Sequence, residues 1–126
     1  VSVVAPAVVS GNTAVVLTSE ERPLPAITLS EVLATSDVPG GVINILTGRT
    51  AEVAPWLAVH MDVNAIDLTG AAGDVDLART LELDAAENLK RVVRPPAAEP
   101  DWTAEPGLER ITAFLETKTV WHPMGV

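Results

Sequence analysis

The chain has no cysteine in 126 residues, and that one absence removes several kinds of chemistry. Disulfides, thiolate metal sites and a thiolate nucleophile are all excluded. Histidine is nearly missing too: His60 and His122 are the only two and lie far apart, and no residue spacing along the chain resembles a zinc or an EF-hand calcium site. His60 reads as a capping or solvated residue and His122 as an exposed one. Basic residues are few, 8 against 17 acidic, for a formal charge of −9. Such a surface repels phosphate backbones, so nucleic acid is not an expected partner. The longest apolar stretches, such as residues 1–9, are under half a membrane span, and no basic segment precedes a long apolar core. Neither a membrane partner nor a secretory leader is expected, and the cytoplasm is the default location. Ser10, Ser19, Ser30 and Ser36 lack the glycine-flanked elbow of a hydrolase nucleophile.

What is present is alternation. With 48% hydrophobic residues the chain suits one folded α/β domain. Short apolar residues over 3–10 stop at Gly11-Asn12, where a helix would end. Ala14 to Leu17 and Val42 to Leu46 are unbroken apolar runs bounded by turn residues, the pattern of strands buried on both faces. Between them, Pro23-Leu24-Pro25 suits a first helical turn, with Leu29, Val32 and Leu33 on one face. A second helix runs to about His60, with Val53, Trp56 and Leu57 facing inward and Pro55 limiting where it starts. Val63 to Leu68 reads as a third strand. Asp74 to Leu89 reads as a long helix with Leu77, Leu81, Ala85 and Leu89 inward; Asp74 and Asp76 there are ordinary first-turn acids. Strand-helix repetition of this kind predicts a parallel sheet with crossover helices. Pro95, Pro96, Pro100 and Pro106 then make residues 94–106 an extended linker. A last helix begins at Pro106, with Leu108, Ile111 and Leu115 on one face, and Thr117 to Trp121 favours β structure.

Four segments in this order carry a family resemblance: Gly11-Asn12-Thr13-Ala14-Val15-Val16 with Ser19-Glu20 and Pro23-Leu24; Pro39 to Gly48; Asp62-Val63 through Ile66 to Leu68-Thr69-Gly70; and Asn88-Leu89-Lys90-Arg91-Val92. Together they resemble the cofactor-binding half of the aldehyde dehydrogenase family. The run from Gly107-Leu108-Glu109 to Thr117-Lys118-Thr119-Val120-Trp121 resembles that family's C-terminal end. The resemblance implies a Rossmann-like NAD(P)-binding unit over 1–93, the proline-rich linker over 94–106, and a C-terminal helix with an oligomerisation strand over 107–126. It also implies that the catalytic domain between them is not represented.

Position by position, the resemblance implies lost chemistry. Where the family has a lysine that touches the adenosine ribose, this chain has Leu17, and the following proline is Thr18. Ser19 and Glu20 match, and the family's glutamate accepts hydrogen bonds from ribose hydroxyls. In the pyrophosphate turn Gly70 matches, but a serine is replaced by Ala71 and a second glycine by Val75. Asp74 adds negative charge where an anion should sit. The family's general-base glutamate falls on Pro95, and its cysteine nucleophile has no counterpart. Residual cofactor contacts are therefore assigned to Ser19, Glu20 and Gly70, with no catalytic and no metal residue, and no cofactor is expected to bind tightly. Thr117, Lys118, Thr119, Val120 and Trp121 are assigned to an oligomer interface, with a second copy or an intact aldehyde dehydrogenase subunit as partner. The alternatives are a weak dinucleotide-binding module and a fragment of an active NAD(P)-dependent enzyme.

Overall fold

A short helix, α1 (Val4–Val9), leads into the first strand through Gly11, whose φ of +92° is open to glycine at no steric cost. The Asn12 amide closes this turn by donating to the Ala7 carbonyl and the Ser10 hydroxyl, each at 2.9 Å. In the computed structural model, which describes residues 1–105 and 107–123, the chain continues as β1 (Ala14–Leu17), α2 (Leu24–Ala34), β2 (Ile43–Leu46), α3 (Thr50–Val59), β3 (Ala65–Asp67), a 3-10 turn (Thr69–Ala71), α4 (Val75–Ala86), β4 (Arg91–Val93) and α5 (Leu108–Thr112).

All strand pairing is parallel, as the alternation predicts. β1 pairs with β2 from Ala14 opposite Ile43 to Leu17 opposite Leu46, and β3 pairs with β4 from Ala65 opposite Arg91 to Asp67 opposite Val93. The strands form two hydrogen-bonded pairs. β4 is an element the sequence reading lacks: Arg91-Val92-Val93 is only three residues long, too short for a periodicity to register.

The core lies where α3 meets α4. Ala54, Ala58, Leu68, Ala71, Ala78 and Leu81 are buried together, with Leu17, Ile66, Leu77 and Val92 packed around them. Alanines at i and i+4 on α3 let the two helix backbones approach closely. Among the described residues Leu81 is the largest side chain fully buried, so this core is small in volume.

Several expectations need correction. Trp56 does not face inward; it is 73% exposed. Ala54 and Ala58 define the buried face of α3, and a residue two positions beyond Ala54 lies about 200° around the helix. Pro55 does not limit the start of α3, which begins at Thr50 and carries the proline inside it. The first turn is held by the N–H groups of Glu52 and Val53, both donating to the Arg49 carbonyl at 3.0 Å. α2 has no buried residue, and Val32 is exposed. In α5 and the turn that follows it, Leu108 and Leu115 are exposed, while Ile111 and Phe114 are half-buried, and α5 contacts α1. The Phe114 carbonyl there accepts from the Asn12 amide at 3.3 Å. The expected start of this helix at Pro106 lies outside the described residues, as do Met124 to Val126.

Leu89 is the clearest departure. It does not extend the inward stripe of α4 but stands 91% exposed at φ +58°. The Lys90 N–H bonds the Ala85 carbonyl at 3.1 Å and the Leu89 N–H bonds the Ala86 carbonyl at 3.2 Å, the pair of bonds that closes a Schellman cap. That motif wants glycine at the left-handed position, and leucine there costs about 1–2 kcal/mol. Leu89→Gly is therefore expected to stabilise the fold by about 1 kcal/mol in a denaturant titration; a loss of stability would show that Leu89 packs against something. The Lys90 that follows is itself buried. Its ammonium donates to the His60 carbonyl at 2.5 Å and to the Asn88 amide oxygen at 2.6 Å, and burial holds its pKa below the usual lysine value.

Candidate functional site

Open parallel α/β sheets take ligands beyond the carboxyl ends of their strands. At the ends of β1 and β2 there is a cleft of about 280 Å³, lined by Thr18, Ser19, Glu20 and Pro23 from the first strand end and by Thr47, Gly48 and Arg49 from the second. The structure thus brings Ser19 and Glu20 together in one cleft. Gly70 does not line it; it is exposed in the 3-10 turn after β3.

Most polar groups of this cleft already have partners. The Ser19 hydroxyl accepts from the Arg22 N–H at 3.3 Å. One carboxylate oxygen of Glu20 accepts from the Thr50 N–H, tying the loop after β1 to the first turn of α3. An acidic group there also opposes the positive end of the helix dipole. Arg49 pairs with Glu52 at 3.2 Å, both well exposed. Thr18 differs: it is 5% exposed, and its hydroxyl has no hydrogen-bond partner among the described residues. Sequence reasoning named Thr18 and Thr47-Gly48 only as positions in the resemblance and assigned neither them nor Arg49 to the site. The available signal was position, since both stretches immediately follow apolar strands.

At the other strand ends the chemistry is also committed locally. Asp67 accepts from the Thr69 N–H at 2.8 Å. Asp74 is the N-cap of α4 and accepts from the Leu77 N–H at 2.9 Å, so a carboxylate occupies the helix end where a phosphate would approach. Ala71 is buried and Val75 is 77% exposed. A second cleft of about 250 Å³ lies beside Asp67, Thr69, Val93 and Arg94, and α5 closes over it with Glu109 and Arg110. Arg94 is engaged by Glu82, which raises its pKa through a hydrogen bond and charge attraction. The Arg110 guanidinium lies 4.9 Å from the centre of the Trp102 ring. Among the described residues no group of three or more His, Asp or Glu could hold a metal ion, and no helix is long and apolar enough to cross a membrane.

His60 ends α3, and its Nδ1 accepts from the Asp62 N–H at 3.2 Å, a local capping contact. Pro95 stands two residues beyond β4. Thr117 to Trp121 pair with neither sheet of their own chain and have no regular secondary structure; Val120 and Trp121 are 62% and 89% exposed.

The model of the aldehyde dehydrogenase family matches residues 1–94. The chain belongs to that family. An aldehyde dehydrogenase-like protein of Schizosaccharomyces pombe is 30% identical over 98% of this chain and 23% of its own length. A mitochondrial aldehyde dehydrogenase of Leishmania tarentolae is 38% identical over 69% of the chain and 17% of its own length. Among solved structures, an aldehyde dehydrogenase from Bartonella henselae superposes with a TM-score of 0.63 at 33% identity, covering 72% of this chain and 18% of that one. The chain spans between 16% and 37% of the length of these and similar curated relatives.

The family's cofactor is NAD(P), and the donor set of this chain fits it poorly. Leu17 packs against the core and offers no hydrogen bond, Glu20 is engaged by α3, and Asp74 fills the end of α4.

Proposed function

We propose that this chain is a non-catalytic aldehyde dehydrogenase-like subunit that works by associating with other subunits, either copies of itself or an intact enzyme of the family. The observation that carries this reading is the lack of any cysteine in a chain that keeps the family's parallel framework. The contact is assigned to Thr117 through Trp121: a segment that pairs with neither sheet of its own chain gains hydrogen bonds by adding to another sheet, and Trp121 supplies exposed apolar area of the kind that anchors interfaces. The cytoplasm is the proposed location, although two of the relatives are mitochondrial.

Removing residues 117–126 is the test. Size exclusion with light scattering is expected to show an oligomer for the full chain and a monomer for the shortened one, with the far-ultraviolet circular dichroism of the α/β part retained. A monomer at micromolar concentration before the deletion rules out self-association, and failure to co-elute with an intact family member then rules out the remaining form of the idea.

The free Thr18 hydroxyl in the β1/β2 cleft favours a second reading, weak binding of a nucleotide or another polar ligand beside Ser19 and Glu20. Because the chain spans a minor part of its relatives, activity as one portion of an NAD(P)-dependent dehydrogenase is a third.

A further inference from the structure

A helix end leaves its last carbonyls without intrahelical partners, and α3 meets that need with two side chains from far along the chain. The Asn88 amide donates to the Val59 carbonyl at 3.0 Å, and the Lys90 ammonium donates to the His60 carbonyl at 2.5 Å. Lys90 also donates to the Asn88 amide oxygen at 2.6 Å, so the two residues act as one clamp. The clamp joins the end of α3 to the segment between α4 and β4, across separations of 29 and 30 residues. Three of its four contacts are strong because each is short and ends on an oxygen.

The fourth is weak. A side-chain amide carries two N–H donors, and besides the Val59 carbonyl the Asn88 nitrogen meets only the Met61 sulfur, at 3.8 Å. A thioether is a poor acceptor, so this donor is badly used. Met61 follows α3 in the loop before β3 and is 76% exposed, whereas Asn88 is half-buried. The side chain at position 61 is thus open to small dissolved molecules while its sulfur rests on a half-buried donor.

We propose that Met61 is an oxidation site, at which a peroxide converts the thioether to a sulfoxide and the new oxygen takes the Asn88 N–H. The sulfur lone pair attacks one peroxide oxygen, an S–O bond forms and the O–O bond breaks. Sulfur loses two electrons, the peroxide gains them, and with hydrogen peroxide the other oxygen leaves as water after taking up the proton. The sulfoxide oxygen is a stronger acceptor than the sulfur it replaces. The unbranched methionine side chain has enough rotatable bonds to turn that oxygen onto the amide. Methionine oxidation in a packed core disrupts it, but Met61 contributes no core contact that a polar group would spoil. The sign is therefore reversed: oxidation at this position tightens the joint between α3 and the α4–β4 segment. Sulfoxide reduction returns the loose form, which makes the step reversible. The inference does not depend on the association reading.

The test treats the intact chain with millimolar hydrogen peroxide, locates added oxygen by peptide mass spectrometry, and follows thermal unfolding. Met61 is expected to gain one oxygen, and the melting temperature is expected to rise by about 2–4 °C. One Asn88 side-chain amide proton is expected to move downfield in the nitrogen–proton NMR spectrum. Asn88→Asp keeps an acceptor for Lys90 but has no donor, so its oxidation should leave the melting temperature unchanged. Met61→Gln places a carbonyl oxygen at the same position and should show the rise without peroxide. It also leaves Asn88 in place should the aspartate variant fail to fold. The proposal is overturned if Met61 stays unmodified while Met124, the other methionine, is oxidised. A melting temperature that falls or stays the same with Met61 oxidised overturns it too. So does a peroxide-induced rise that persists in Asn88→Asp or in Met61→Leu, because the effect then arises elsewhere.

Discussion

Purified chain given an aldehyde and either NAD or NADP is expected to yield no reduced nicotinamide above the uncatalysed rate. Covalent aldehyde oxidation needs a nucleophile to form the thiohemiacetal and a base to activate the hydrolytic water. No residue of the chain can supply the thiolate. Pro95, which the family resemblance aligns with the base, has no titratable side chain. The two histidines do not substitute, because His60 caps the end of α3 and His122 is exposed after α5 in a stretch without regular secondary structure. General-base catalysis alone is worth about 10²–10⁴ in rate, and the nucleophile adds more. Introducing glutamate by Pro95→Glu should therefore leave the rate at background. The measurement is nicotinamide absorbance with a sample shown by mass spectrometry to be free of other dehydrogenases. Turnover near about 1 per second would sink both this expectation and the non-catalytic reading.

NAD is expected to bind with a dissociation constant above about 1 mM. Lost donors weaken a polar ligand by about 1–3 kcal/mol each. Leu17 packs on the core, Ala71 carries no hydroxyl, and Val75 places a β-branched side chain on the first turn of α4. The N–H of Thr50 already holds Glu20, and the N–H of Leu77 already holds Asp74, so binding there must first break an internal contact. Isothermal titration calorimetry is the check, and a micromolar constant would promote the nucleotide-binding reading instead. Reinstating donors with Leu17→Lys, Ala71→Ser and Val75→Gly should tighten binding. Because Leu17 and Ala71 touch the core, each variant has to be shown folded before its titration is interpreted.

The parallel α/β character was legible because it depends on local pattern. Apolar runs at Ala14 to Leu17 and at Val42 to Leu46, with turn residues between them and helical spacing, leave few other arrangements. The inward residues Leu77, Leu81 and Ala85 of α4 followed from four-residue spacing in the same way. Leu89 continued that spacing but not the helix, because the chain turns left-handed there and the periodicity carries no record of φ. Trp56 misled for a different reason. Size and hydrophobicity suggest burial, yet α3 meets α4 through alanines, and close helix approach leaves no room for a ring between them.

The candidate site divides along the same line. Residue type by itself settled which groups are absent: no thiolate, a proline at position 95, and a leucine and an alanine at positions 17 and 71 where the resemblance expects donors. Absence of a functional group holds in any conformation, so no fold is needed to read it. The present use of the matching residues was a tertiary matter. Glu20 meets the Thr50 N–H thirty residues away, and Ser19 shares a cleft with Thr47 to Arg49, whereas Gly70 lies outside that cleft. Likewise the composition of each strand was set by the sequence, but the division of four strands into two pairs depends on which backbone edges meet. Backbone hydrogen-bonding groups are the same at every non-proline residue, so the side-chain sequence marks a strand without naming its neighbour.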